Sequence, residues 1–283
     1  KAEEKKKELQ EFVQRFSANA SKSKQATSRK KLLQKINLDD IEPSSRKYPA
    51  IILESEREAG DQVLHINNMS KTVDGEVLFS NLNLNVTKGD KIALLCKNDL
   101  ATTALYEILN GISEPDSGDF HFGQTITTGY LPNENEKFFT DNLNLMDWLR
   151  QYSPNKDEVY VRGFLGKMLF SGEEIFKMAN VLSGGEKVRC MLSRMMLRGG
   201  NFLMLDEPTN HLDLESIQAF NNALIDFPGT VIFTCHDHHF TQTVATRIIE
   251  LTPNGCLDKL MTFDEYIASP KVKAQKQQML VTA

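Results

Sequence analysis

Two stretches of this 283-residue chain combine residue types and spacings that could do chemistry. In Phe202-Leu203-Met204-Leu205-Asp206-Glu207-Pro208, an apolar run of strand length ends in two adjacent carboxylates and a proline. A buried strand of this kind delivers Asp206 and Glu207 to a sheet edge, and Pro208 stops the pairing. One carboxylate suits a Mg²⁺ ion, and its neighbour suits a general base acting on water. A solvated loop start after a core strand would supply the same two acids. The second stretch, Leu182-Ser183-Gly184-Gly185-Glu186, favours the chemical reading. Its glycines let backbone N–H groups come close to an anion, and Lys187 to Leu197 reads as a helix whose positive end faces them.

The elements that must position these groups follow from pattern. Strand regions are expected at Gln62 to Ile66 and at Lys71 to Val86, around the turn Asp74-Gly75. Apolar strands are expected at Ile92 to Leu95 and at Thr230 to Cys235, the latter running into His236. A helix over Thr103 to Asn110 is stopped by Gly111. Residues 140–200 read as helical, with a Met and Phe stripe (Phe164, Met168, Phe170) that is core material. Phe240 to Ile249 reads as helix then strand. Residues 37–60, rich in Asp, Ser and Pro, read as a linker, and the tail from Ala268 as frayed.

Together, LSGGE and FLMLDEPTNHLD resemble the ATP-binding cassette (ABC) superfamily over roughly residues 61–267. The first stretch matches its signature motif, and the second its Walker B strand, catalytic Glu and D-loop. The resemblance implies an α/β fold with a phosphate-loop NTPase core, an antiparallel β subdomain and an α-helical subdomain. It also implies ATP and Mg²⁺ as cofactors. The phosphate loop, G-x-x-x-x-G-K-[ST], falls on Cys96-Lys97-Asn98-Asp99-Leu100-Ala101-Thr102-Thr103. Both pattern glycines are missing, and Thr102 replaces the lysine. Losing a lysine–phosphate hydrogen bond costs roughly 1.5–3 kcal/mol. Asp99 adds like charge beside a polyphosphate. Val73 stands near the place of the adenine-stacking aromatic, and Asn133 where a glutamine senses Mg²⁺.

Residues 1–36 hold eleven Lys or Arg against four Glu, a net of +7, which leaves −12 for the rest of a chain whose net is −5. Leu9, Phe12, Val13 and Phe16 mark one helix, and Leu32, Leu33 and Ile36 a second, giving an antiparallel hairpin with a basic tip. The chain opens inside the first helix without a cap, which suggests a piece of something longer. The hairpin could be merely solvated, or could contact RNA phosphates through Lys22, Lys24, Arg29, Lys30 and Lys31. Hairpin and cassette together resemble the ABC-F family, which carries two ABC domains in one chain, has no membrane domain and acts on ribosomes. The degenerate phosphate loop resembles one of its subgroups.

That resemblance implies composite sites shared with another ABC domain. Ser183, Gly184, Gly185 and Glu186 would close over ATP held by the partner domain. Locally, Thr103 and Asp206 would hold Mg²⁺, Glu207 would activate water, and His236 would hold the γ-phosphate, with Asn98, Thr102 and Asn133 lining the site. The expected boundaries are a hairpin linker over 1–45, a connector over 46–60, a cassette over 61–267 and a tail over 268–283. Rival readings are a catalytically dead interaction module, a transporter ATPase subunit and a DNA-repair ATPase. No apolar run reaches the ~18 residues that cross a bilayer. The four cysteines lack paired spacing, as in a reducing compartment. A soluble, cytoplasmic protein is expected.

Overall fold

A computed structural model of the chain describes residues 47–281. The expected hairpin, with Lys22, Lys24, Arg29, Lys30 and Lys31, lies outside the described residues. The described part is built on a six-stranded sheet. Its order is β5 (Thr128–Leu131), β6 (Phe202–Leu205), β7 (Thr230–Phe233), β3 (Lys91–Leu95), β8 (Arg247–Thr252), β9 (Gly255–Lys259). The first five strands run parallel and β9 is antiparallel. Strands β6 and β7 are buried at every residue, because helices or a second sheet cover both faces.

Alternate residues of these strands feed two cores. Leu203, Leu205, Val231 and Phe233 join one core with α2 (Leu145–Arg150), α3 (Glu158–Lys167) and α4 (Gly184–Arg198). In that helical layer, Trp148 is fully buried, stacks on Phe139 with ring centres 4.6 Å apart, and donates to the Phe138 carbonyl. Phe202, Met204 and Ile232 join the other core with α1 (Asp99–Leu109) and an antiparallel sheet. That sheet orders β2 (Glu76–Thr87), β1 (Gln62–Val73) and β4 (Ser117–Phe122) as β2-β1-β4. The hairpin turn falls at Asp74-Gly75, both with positive φ (+50° and +84°), the turn that the Asp-Gly pair favours. Three further helices, α5 (Leu214–Asp226), α6 (His238–Val244) and α7 (Phe263–Ala268), complete the flanks.

Three expectations need correction. The helix expected from Thr103 begins at Asp99, because Asn98 caps it and no glycine holds the preceding turn open. Within the connector, Ile51 and Leu53 are buried in the helical-layer core, and Ala50 N–H donates to the Lys167 carbonyl. The tail forms helix α8 (Pro270–Val281) instead of fraying. Val272 of α8 is buried, and Lys276 pairs with Glu250 of β8, whose carboxylate also accepts from the Tyr266 hydroxyl at 2.8 Å. Among the described residues, no helix is long and apolar enough to cross a membrane.

Candidate functional site

The site lies where the parallel strands end. Strand β6 carries Asp206 to the sheet edge, where it is 3% exposed. Its carboxylate accepts from the Thr103 hydroxyl at 3.0 Å and from the Thr234 hydroxyl at 2.9 Å. Burial pushes Asp206 above the usual carboxylate range, and the two hydroxyls pull it back. A hydroxyl and a carboxylate this close are hard oxygen donors that fit Mg²⁺, which would take the place of the bridging proton. Glu207 sits in the left-handed region at φ +48°, a strained position for a non-glycine residue. Its N–H donates to the Thr234 hydroxyl, so one threonine ties the two adjacent acids together. Its carboxylate accepts from the His236 N–H at 3.3 Å and lies 3.5 Å from His236 Nε2. Burial raises the Glu207 pKa, and His236 opposes that rise.

The phosphate-loop residues occupy this end of the sheet, but not as a cradle. Asn98 accepts from the Leu100 N–H through its own side chain, and its backbone carbonyl accepts from the Ala101 N–H. Two N–H groups of the segment are therefore spent on its own turn. The Asn98 amide also donates to the Glu76 carboxylate at 3.0 Å, so the β1–β2 turn adds an acid at the mouth of the loop. Thr102 is placed differently from the expectation. It is buried, and its hydroxyl donates to the Asp99 carbonyl at 2.8 Å, so it faces its own helix. The segment does not fit a polyphosphate cradle, although Thr103 and Asp206 fit a cation.

At the other end, Ser183 caps α4 in a reciprocal box with Glu186. The Ser183 N–H and hydroxyl both donate to the Glu186 carboxylate, which Lys177 also approaches at 3.1 Å. These bonds, the backbone one foremost, lower the Glu186 pKa to about 2. Glu186 thus braces the turn from inside. The glycines have a local use as well. A Cβ on Gly185 would stand 2.6 Å from the His211 carbonyl, and one on Gly184 3.2 Å from the His211 ring. His211 itself holds a left-handed φ of +64°. Its neighbour Asn210 donates to the Asn133 side chain at 3.1 Å. A cavity of about 1220 Å³ spans the two ends, with Lys97, Asp99, Thr103, Asn133, Asp206 and Gly184 on its wall. Thr102, Glu207 and His236 are not on that wall.

Sequence reasoning missed Thr234, His211 and Glu76. A hydroxyl closing the apolar run Val231-Ile232-Phe233 was a signal for Thr234. Nothing near Glu76 in sequence points to Asn98.

Two family models described as ABC transporter match the chain, one over residues 79–210 and one over residues 1–53. Among solved structures, the dimeric ATP-binding cassette MJ0796 bound to ADP and Pi superposes with a TM-score of 0.58 at 17% identity. The match covers 70% of this chain and 98% of that one. This chain has the ABC ATPase fold. The ABC transporter ATP-binding protein YkpA of Bacillus subtilis is 58% identical over 96% of this chain and 51% of its own length. The energy-dependent translational throttle protein EttA of Haemophilus influenzae is 30% identical over 69% of this chain and 36% of its own. The chain spans about half the length of the curated relatives it matches.

Proposed function

We propose that this chain is the basic hairpin and second cassette of an ABC-F protein, working at composite ATP sites with another ABC domain. Its signature turn closes over a nucleotide held by that other domain, while its own phosphate segment binds poorly. The observation that carries this reading is the asymmetry between the two ends of the site. The Leu100 and Ala101 N–H groups are spent on Asn98 at one end, whereas the Gly184 and Gly185 N–H groups open helix α4 at the other. The glycines would offer their N–H groups to the γ-phosphate, and the Ser183 hydroxyl would turn from Glu186 to join them. At the weak local site, Thr103 and Asp206 would hold Mg²⁺, Glu207 would orient water and His236 would face the γ-phosphate.

Calorimetric titration of the chain with a non-hydrolysable ATP analogue tests the asymmetry. The expected result is no binding in the micromolar range. Robust ATP turnover by the chain alone, abolished by Glu207→Gln, overturns it.

Action on the ribosome is supported by the +7 net charge of residues 1–36 and by similarity to a protein named as a translational throttle. Co-sedimentation with ribosomes across a salt series is expected to show binding that falls steeply with salt. Lys22→Glu with Lys24→Glu should weaken it, and indifference to that change removes the hairpin's role. The rival module, which lends its signature and never turns over, is favoured by the same asymmetry. It is separated by adding a cognate first cassette: ATPase activity that Glu207→Gln leaves untouched assigns all turnover to the partner's side.

A further inference from the structure

The antiparallel sheet carries a histidine pair that plays no part in the nucleotide chemistry. Strands β1 and β4 place His65 directly opposite His121, and β2 places Asn85 opposite His65 on its other side. Residues in register share a face, so Asn85, His65 and His121 form one row across the three strands. The neighbours Leu64, Ile66, Leu84 and Val86 are buried, so the row faces solvent, and all three of its residues are exposed. The same row lines a groove of about 530 Å³. One step along, Asp119 stands opposite Asn67 and accepts from its amide at 2.9 Å, leaving a carboxylate beside the pair.

We propose that His65 and His121 form a two-histidine chelate for a borderline divalent cation of the Zn²⁺, Ni²⁺ or Cu²⁺ class. The imidazole ring centres are 5.3 Å apart, with planes tilted by 56°. With metal–nitrogen bonds of about 2.0–2.1 Å and a tetrahedral angle, two imidazoles on one ion have ring centres roughly 5.2 Å apart. The observed ring-centre spacing lies close to that value. Neutral imidazole nitrogens select this class over Mg²⁺ or Ca²⁺, which take oxygen ligands. Water completes the coordination from the solvent side. Because the two ligands sit on different strands, the ion pins β1 to β4 in register.

The test is titration of the chelator-stripped chain with Zn²⁺ by calorimetry, alongside thermal melts. One ion per chain with micromolar affinity is expected, with a melting point raised by a few degrees. His65→Thr and His121→Thr should each weaken binding at least tenfold and abolish the melting shift. Threonine suits an exposed strand position, so both variants should keep the sheet. His238→Ala, outside the sheet, should leave binding unchanged. With Cu²⁺, electron paramagnetic resonance should show two equivalent nitrogens in the parent and one in either variant. Binding that survives both substitutions, or absence of binding at millimolar Zn²⁺, overturns the proposal.

Discussion

Asp206 and Glu207 are carried into the fold at a cost, since burial disfavours the charged form of each. The sign follows for Asp206. The folded chain holds the Asp206 proton to higher pH than the unfolded chain, whose reference value is 3.8. Stability from this group therefore falls as pH rises through that window. Asp206→Asn is expected to raise the melting point at pH 7, read by thermal unfolding. The gain should shrink as the pH is lowered toward 4. A second expectation concerns the missing lysine. Thr102→Lys restores the pattern residue in sequence but buries an ammonium where a hydroxyl now meets the Asp99 carbonyl. It should lower stability by about 1–3 kcal/mol and leave ATP affinity unchanged, checked by urea unfolding and calorimetry. The acids were legible because an apolar run leads straight into them. The inward turn of Thr102 was not, since nothing local distinguishes a threonine facing a ligand from one capping a carbonyl.

At the scale of elements, the turn before α4 and the turn after β6 hold each other. Gly185 lies against the His211 carbonyl, so Gly185→Ala forces one of the two turns to move. A cost of about 1–3 kcal/mol is expected by chemical denaturation. Ser183→Ala removes a cap and should cost about 1 kcal/mol at pH 7. The Glu186 side of that box is fully present above its ordinary value of 4.5 and is lost as pH falls through about 2. The penalty of Ser183→Ala should accordingly shrink in strong acid. Strands β3, β6 and β7 were readable because continuous apolar runs of four or five residues require cover on both faces. The start of α1 was misread for a physical reason. Asn98 followed by Asp99 is a good helix-start signal, but a phosphate loop on the same residues would keep them out of the helix.

Across the molecule, α8 fastens the C-terminal segment to the central sheet. Glu250 opposes Leu95 in register, beside the strand end that leads into Cys96, and Lys276 of α8 supplies its charge partner. Lys276→Met should destabilise the domain by about 2 kcal/mol, because among the described residues a nearly buried carboxylate then keeps only the Tyr266 hydroxyl. Thermal unfolding at neutral pH measures it. The sequence by itself determined the strands, the adjacent acids, the serine–glycine turn and the loss of the phosphate-loop glycines. Each of these is written in contiguous residues, where propensity and periodicity act. Tertiary structure alone decided the rest. It turned Thr102 inward, set Glu76 on Asn98, seated His211 on two glycines and drew a polar tail onto Glu250. It also placed His65 beside His121. Apart from the Thr102 bond to Asp99 within α1, those pairings join residues far apart in the chain, and they exist only once two packed cores hold the strands and helices in register.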